Sequence, residues 1–308
     1  MEDTYPCQYL LCQGYVRCIV IYSRFPCFYI KENKEREEKR MPNYAEVYDQ
    51  LTLTDDFIFA KVMKNKKLCK KLLEIILDVE IEKIEYVEGQ KVIDLMKETH
   101  GIRLDIYVKD GNNTVYNVEM QTTDTKNLPK RSRYYQGIID LNLLGTSSSY
   151  KNLNKSYIIF ICTFDVFGKG RHIYTFENYC SQDKDIRLGD ETVKVFLNPY
   201  SDMNDVDEEL SNFLRYLAGE APADEFTKQL ADEVTKAKEN KEWRKEFMTL
   251  AMKIMEERED AAQKAAQKAS LEMLIILVKE GAITVEKAVE KAEMTEDEFL
   301  TAMKESGY

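Results

Sequence analysis

The chain has 308 residues, 44% hydrophobic and 11% aromatic, which is enough to bury the core of one large domain or two smaller ones. A formal net charge of −11 excludes a generally basic coat for nucleic acid, although an acidic protein can still carry a locally basic groove. No apolar run approaches the ~20 residues of a membrane-spanning helix, and seven cysteines without metal-ligand spacing and only two histidines predict reduced thiols, a cytoplasmic location and no His-rich zinc site.

The first forty residues differ from the rest of the chain. They hold four of the seven cysteines, and Arg17 and Arg24 interrupt their apolar part, so they make a poor signal peptide or anchor. The run KENKEREEKR directly precedes Met41, and its purine-rich codons can form a bacterial ribosome-binding site. We therefore predict a natural start at Met41 and a translated leader at 1–40; the alternative is a charged, disordered arm.

Two helices and a strand are predicted next. Thr54 is a candidate N-cap, with Asp55 and Asp56 in the first turn of the helix that follows. The string KKLCKKLLEIILD has the apolar spacing of a second helix, and Ile81–Val87 reads as a strand.

The stretch Leu104–Gln121, LDIYVKDGNNTVYNVEMQ, predicts a β-hairpin because two alternating runs flank a Gly/Asn turn. A three-residue loop, 111–113, would place Asp105 directly across from Glu119, whereas a two- or four-residue loop would place them on opposite faces. We predict the three-residue loop, since Gly and Asn tolerate the positive φ that it needs.

The face that carries this acidic pair has two explanations. Two carboxylates directly across a strand pair repel each other, and a divalent cation such as Mg²⁺ or Mn²⁺, which takes oxygen ligands, would stabilise them. Water on such a metal can attack a phosphodiester. The alternative is the solvated outer face of an antiparallel hairpin, where charges are ordinary, and the spacing alone favours this alternative.

More helices and strands follow. Pro129 suits the first turn of a helix that ends at Gly145. The string SYIIFICTFDVF predicts a buried strand, and RHIYTFEN and VKVFLN add two more. Asp165 and His172 lie beside these strands, and we interpret both as structural rather than catalytic.

The last hundred residues are predicted to be helical. The predicted elements are a helix at 205–218, a long or segmented charged helix at 223–270, an apolar helix at 271–280 stopped by Gly281, and two short helices capped by Thr284 and Thr295, the second with Glu298 at capping-box spacing. The two short helices have the outline of a helix-turn-helix, but they are acidic, which favours an interaction or oligomerisation role.

A set of strings carries a family resemblance. LTDDFIFAKVM, GIRLDIYVKD, VYNVEMQ, LPKRSRYYQGIIDLNLL, YIIFICTFDVFGKGRHIYTFEN and VFLNPY follow one another over roughly residues 51–216. With the D-x13-E-x-Q spacing they resemble the PD-(D/E)XK nuclease superfamily, and more closely its recombination-promoting nuclease and transposase family. The resemblance implies an α/β fold with a restriction-endonuclease-like core, a mixed sheet flanked by helices, and Mg²⁺-dependent (or Mn²⁺-dependent) DNA cleavage in recombination or transposition.

The resemblance also implies roles for individual residues. Asp105 and Glu119 match the metal-binding pair, and Asp56, preferred over Asp55, matches the acid of the first helix. Gln121 stands where the superfamily usually has Lys, although Gln is common in the branch that this chain resembles. Gln can orient water or phosphate only by hydrogen bonds.

The segment KNLPKRSRYYQ is the strongest candidate for binding nucleic acid because its bases greatly outnumber its acids. Lys130 or Arg131 could also supply the charge that Gln121 lacks. Arg and Lys neutralise phosphates, and Tyr stacks on bases. The predicted DNA contacts are Lys126, Lys130, Arg131, Arg133, Tyr135 and Gln136. The alternative is a solvated basic face with Tyr134 buried.

These observations lead to one primary hypothesis and two alternatives. The primary hypothesis is a metal-dependent DNA endonuclease that hydrolyses phosphodiesters by direct attack of water, with no membrane or small-molecule cofactor and with a homodimer if both strands are cut. The alternatives are an inactive nuclease-fold module that binds DNA or protein, and an interaction protein built on the C-terminal helices. The predicted segments are the leader at 1–40, a nuclease-like domain at 41–220, a charged helix at 221–270 and a helical hairpin region at 271–308.

Overall fold

The computed structural model describes residues 43–93, 102–145 and 148–306. The described residues from 52 to 234 form one compact unit, and residues 43–51 with 235–306 form a second. The predicted leader at 1–40 lies outside the described residues. The sequence instead predicted boundaries at 220 and 270 and placed residues 43–51 in the nuclease-like domain. In the structure residues 43–51 belong to the same unit as the C-terminal helices.

In chain order the described residues form the helices and strands α1 (Tyr44–Gln50), α2 (Asp56–Val62), α3 (Lys66–Leu77), β1 (Ile84–Ile93), β2 (Ile102–Asp110), β3 (Val115–Gln121), α4 (Leu128–Leu143), β4 (Ser156–Cys162), β5 (Ile173–Phe176), β6 (Thr192–Leu197), α5 (Glu208–Leu217), α6 (Glu225–Glu239), α7 (Lys241–Lys279), α8 (Val285–Ala292) and α9 (Glu296–Glu305). A short 3₁₀ turn, Tyr150–Asn152, precedes β4.

The strands of the first unit form one mixed sheet in the order β1-β2-β3-β4-β6-β5. Strands β1, β2 and β3 are antiparallel, β3, β4 and β6 are parallel, and β5 returns antiparallel to β6. A parallel step from β3 to β4 needs a long crossover, and α4 provides it. The predicted α/β class, with a mixed sheet flanked by helices and a helical C-terminal region, is confirmed.

Helices cover both faces of this sheet. On one face α4 packs Tyr135, Ile138 and Ile139 into a cluster with Phe160 and other apolar residues of the sheet. On the other face α2 comes close to β1, where a Cβ on Gly89 would lie 3.1 Å from the carbonyl oxygen of Ala60. The absence of a side chain at 89 therefore sets the spacing between α2 and the sheet.

Three predicted boundaries are wrong. The N-cap of α2 is Asp55, one residue after the predicted Thr54. The strand predicted at 81–87 runs over Ile84–Ile93, because it pairs along most of β2. The apolar helix predicted at 271–280 is the end of α7, since no Gly or Pro separates it from the Ala-rich repeat, a strong helix former.

The second unit joins α1 to the C-terminal helices. The hydroxyl of Tyr48 donates to the carbonyl oxygen of Ala237 at 2.7 Å, and its ring lies 5.4 Å from that of Phe247. The predicted stop after α7 is confirmed, with Gly281 at φ +70°. Thr284 caps α8 and Thr295 caps α9, the latter in the predicted capping box.

The helices α7, α8 and α9 meet around a small apolar cluster. Leu274 and Ile275 of α7 pack there with Ala288 of α8 and Phe299 of α9. None of the described helices combines the length and the apolar character needed to cross a bilayer.

Candidate active site

The register of the β2–β3 hairpin brings the acidic pair together. Ile106 pairs with Val118 and Lys109 with Val115, so the loop is the predicted three-residue one. Asn113 supplies its positive φ, at +65°. The paired register ends at Ile106 and Val118, and Asp105 and Glu119 are the next residues of the two strands.

Hydrogen bonds to the main chain fix both carboxylates. The N–H of Asp105 donates to Oε1 of Glu119 at 3.0 Å, and the N–H of Met120 donates to Oδ2 of Asp105 at 3.1 Å. Both residues are fully buried, and Gln121 is only 5% exposed. The alternative of a solvated outer face is therefore wrong. A polar face of this kind is costly to bury unless its charges are compensated.

Arg131 of α4 reaches across to this face. Its Nη2 lies 3.2 Å from Oε2 of Glu119, and its Nη1 donates to Oε1 of Gln121 at 2.9 Å. Its Nε donates to the hydroxyl of Tyr135 at 2.8 Å, and the guanidinium lies over the rings of Tyr135 and Phe160. One guanidinium thus bridges the carboxylate and the amide of the D…E-x-Q motif. Arg131 and Tyr135 are four residues apart on α4 and share a face of the helix.

Burial makes two nearby groups poor nucleophiles. Burial first, and then the charge of Glu119, raises the pKa of Tyr135 to about 12 although Arg131 opposes the shift. Burial likewise raises the pKa of the Cys162 thiol to about 12. Both groups therefore keep their protons at neutral pH.

The predicted basic segment divides into an exposed and a buried part. Lys126, Lys130 and Arg133 are exposed, with Lys126 paired to Asp124 at 2.5 Å. The predicted DNA contact at Tyr135 is contradicted by the burial of its ring, which is 7% exposed. The neighbouring Tyr134 is 43% exposed, so the alternative with a buried Tyr134 is wrong as well. Tertiary packing reversed the expected sides of these two adjacent rings.

Gln136, also predicted to contact DNA, lies near the other end of β3. Its Nε2 donates to Oγ of Ser156 at 2.8 Å and to Oδ1 of Asp140 at 2.9 Å, and the residue is 7% exposed. Ser156 pairs with Val115 at the far end of β3. That end is about 13 Å from Glu119 at ~3.3 Å per strand residue. The burial of Gln136 argues against the predicted DNA contact.

Asp56, the third predicted acid, is the half-buried first residue of α2. This helix packs on β1, β2 and β3. Because α2 covers the face opposite α4, Asp56 belongs to the layer on the other side of the sheet from Arg131.

Asn117 was not among the predicted site residues. It shares a face with Glu119, two residues along β3, and it is fully buried. Neither its Nδ2 nor its Oδ1 has a hydrogen-bond partner among the described residues. Buried amides are nearly always satisfied, so an unsatisfied one marks a place for a water or an ion. The strand alternation was the signal, since it put Asn117 on the polar face.

Asp165 and His172 are structural, as interpreted from the sequence. Asp165 accepts hydrogen bonds from the N–H groups of Phe167 and Gly170 and from the hydroxyl of Tyr174 at 2.7–3.0 Å. His172 is 6% exposed and pairs through Nδ1 with Asp205 at 2.8 Å. Both residues organise the connections around β5.

Comparison with family models gives one assignment. A model described as PD-(D/E)XK nuclease family transposase matches residues 54–280, well over half of the chain. This chain belongs to that family. Comparison with curated proteins and with solved structures found no match. Membership of the PD-(D/E)XK nuclease family transposases indicates a nuclease-like function with DNA as substrate.

PD-(D/E)XK nucleases typically use divalent metals, so the hairpin must be tested as a metal site. Among the described residues no group of three or more His, Cys, Asp or Glu side chains is placed to hold a metal ion. The hairpin offers two carboxylates and the amide oxygen of Gln121, which are hard oxygen donors. Mg²⁺ keeps several waters and needs only one or two carboxylates. With the unsatisfied amide of Asn117 beside Glu119, this donor set fits a hydrated divalent cation.

Proposed function

We propose that this PD-(D/E)XK nuclease family transposase is a metal-dependent DNA endonuclease whose active site is the polar face of the β2–β3 hairpin. The observation that carries the proposal is the pair of fully buried carboxylates, Asp105 and Glu119, held face to face by main-chain hydrogen bonds. Two desolvated carboxylates side by side are costly, and a cation-binding role accounts for their position.

Each side chain has a role that follows from its chemistry. Asp105 and Glu119 hold Mg²⁺ or Mn²⁺. Asp56, the third acid that the family resemblance implies, begins the helix on the other side of the sheet and is not assigned a metal-binding role in this proposal. The chemistry that the metal supplies when bound is a more acidic water and compensation of charge on the phosphate. Gln121 orients the attacking water by hydrogen bonds. In the metal-free protein the positive charge beside Gln121 comes from Arg131, whose Nη1 lies 2.9 Å from the Gln121 amide oxygen.

The DNA backbone is bound by the exposed side of α4. Lys130 and Arg133 neutralise phosphates there, and Lys126 adds a charge just before the helix. Tyr134 replaces Tyr135 as the ring that can stack on a base, because Tyr134 is the exposed one of the two. The reaction is hydrolysis without a covalent enzyme intermediate, in keeping with the raised pKa values of Tyr135 and Cys162.

The wider setting remains a proposal from the sequence. It comprises a cytoplasmic location, action in recombination or transposition, and a homodimer if both strands are cut.

One observation favours a second candidate function. The contact of Arg131 with Glu119 and Gln121 neutralises the acidic pair within the chain itself. An inactive nuclease fold that only binds DNA would have the same contact.

Cleavage of supercoiled plasmid distinguishes the two functions. The full chain is expected to nick the plasmid with Mg²⁺ or Mn²⁺ and not with EDTA. Asp105→Asn and Glu119→Gln are each expected to slow nicking at least about a hundredfold, which corresponds to ~2.7 kcal/mol of barrier. The control is Glu85→Gln, at an exposed acid of the neighbouring strand β1. Salt-sensitive DNA binding without nicking would instead establish the binding module.

A further inference from the structure

The place where a cation would bind on the hairpin is already in contact with a positive charge of the chain. Arg131 touches Oε2 of Glu119 at 3.2 Å and Oε1 of Gln121 at 2.9 Å with two nitrogens of one guanidinium. Glu119 is fully buried, and the Arg131 side chain is 19% exposed. A guanidinium stays charged at every accessible pH, so this contact is not removed by titration.

We propose that Arg131 and the divalent cation compete for Glu119 and Gln121, so that Arg131 is a built-in competitor that must move away when the metal binds. The inference rests on the proposed function, because the cation site is that of the proposed nuclease. A carboxylate oxygen 3 Å from a guanidinium cannot also lie in the coordination sphere of a dication without strong repulsion between the two cations.

Contacts within the protein hold the Arg131 side chain in its metal-free position, and the exposed side of α4 gives the side chain a place to move to. Its Nε donates to the hydroxyl of Tyr135, and the rings of Tyr135 and Phe160 lie beneath the guanidinium. On the other side, α4 carries the exposed Lys130 and Arg133. An Arg131 side chain released from Glu119 turns towards this exposed side, where DNA phosphates accept bidentate hydrogen bonds from arginine.

This competition couples the two ligands of the protein. A DNA phosphate that binds Arg131 removes the competitor from Glu119 and thereby raises the affinity of the site for metal. By linkage, the metal raises the affinity for DNA by the same factor. The cation is therefore bound weakly until DNA is present, which restrains the acid pair in the free protein.

Calorimetric titration of the full chain with Mn²⁺, without DNA, tests the inference. Arg131→Met is expected to bind Mn²⁺ about tenfold more tightly than the wild-type protein, within the usual range of coupling between sites. Lys130→Met is the matched control, because it removes the adjacent exposed charge of the same helix and leaves the Glu119 contact intact. Arg131→Lys keeps the charge without the two-pronged contact, and intermediate affinity is expected.

The NMR signal of the Arg131 side chain gives a second readout in the wild-type protein, which remains valid if Arg131→Met does not fold. Its Nε–H resonance, assigned by comparison with Arg131→Lys, is expected to shift as Mg²⁺ is added, because the hydrogen bond to Tyr135 is lost. Arg133 supplies the internal control and is expected to stay unchanged.

The outcomes separate this inference from the proposed function. The competition is refuted if Arg131→Met binds Mn²⁺ no more tightly than the wild-type protein, or if the Nε–H resonance does not shift at saturating Mg²⁺. If Glu119→Gln abolishes metal binding in the same experiments, the proposed metal site is still supported. If neither wild type nor Arg131→Met binds Mn²⁺, both proposals fail. Binding by Arg131→Met alone supports the competition.

Discussion

At the scale of single residues, substitutions of Gln121 test whether Arg131 supplies the positive charge of the site. Gln121→Lys restores the usual residue of the superfamily but sets an ammonium beside the guanidinium that now lies 2.9 Å from the amide oxygen. We expect this variant to lose ~2 kcal/mol of unfolding free energy, because a hydrogen bond to a charged group is replaced by repulsion. Thermal unfolding measures the loss.

A double variant tests whether repulsion between the two positive charges causes this loss of stability. Gln121→Lys combined with Arg131→Gln exchanges the two functional groups and is expected to recover the stability and part of the nicking rate. Thr122→Lys, at the exposed neighbouring position, is the control for an added charge. A Gln121→Lys single variant as stable as the wild-type protein would refute the idea that Arg131 supplies the charge beside this position in the metal-free protein.

The adjacent rings of Tyr134 and Tyr135 should separate DNA binding from stability. Tyr135→Ala removes a buried ring packed 6.2 Å from Phe160 and is expected to cost ~3 kcal/mol of unfolding free energy. Tyr134→Ala removes an exposed ring and is expected to weaken binding to single-stranded DNA by about 1 kcal/mol with stability unchanged. Fluorescence anisotropy and chemical denaturation measure the two effects. If Tyr134→Ala and the wild-type protein bind DNA with equal affinity, Tyr134 does not stack on DNA bases.

At the scale of elements, the connection between β4 and β5 depends on one carboxylate. Burial alone would raise the pKa of Asp165, but hydrogen bonds from Gly170, Tyr174 and Phe167 hold it below its usual value. A lowered folded-state pKa adds stability that is present above the unfolded pKa of about 3.9 and is lost as the pH falls through the folded value.

The pH dependence of Asp165→Asn follows from that sign. The variant is expected to be about 1 kcal/mol less stable than wild type at pH 7. The difference is expected to shrink as the pH falls below about 4. Urea denaturation at several pH values measures it, with Asp202→Asn as an exposed control. A difference that stays constant down to pH 2.5 would show that the charge of Asp165 is not what organises the loop.

The hairpin and α4 show which features the sequence could specify. Strand alternation and a Gly/Asn loop are local, so they were sufficient to predict that Asp105 lies across from Glu119. Burial of this face was not predictable, because it depends on α4 crossing over the hairpin between β3 and β4. For the same reason the sequence could name Arg131 as a source of charge but not the two side chains that it contacts, and it assigned Tyr134 and Tyr135 to the wrong sides.

The C-terminal helices show the complementary limit. Thr284, Thr295 and Gly281 are local signals, and they predicted the helix ends correctly. The continuity of α7 past residue 270 was missed because a change from charged to apolar residues looked like a boundary. The grouping of α1 with these helices could not be read locally, since it rests on contacts such as that of Tyr48 with Ala237.

At the scale of the whole molecule, a chain of net charge −11 must bind DNA through a local surface. Replacing Lys130 and Arg133 together by Ala is expected to lower the slope of log Kd against log salt by about 2, one for each phosphate contact. The control is Lys169→Ala with Lys184→Ala, two exposed bases outside α4. An equal change of slope in both double variants would show that the contact is nonspecific.

The central claim is that the acid pair of the hairpin holds a divalent cation. Anomalous scattering from crystals of the full chain loaded with Mn²⁺ tests it most directly. We expect one strong peak about 2 Å from a carboxylate oxygen of both Asp105 and Glu119, with Arg131 turned away from Glu119. A peak elsewhere, or no peak at the hairpin with Arg131 still in contact with Glu119, would contradict it.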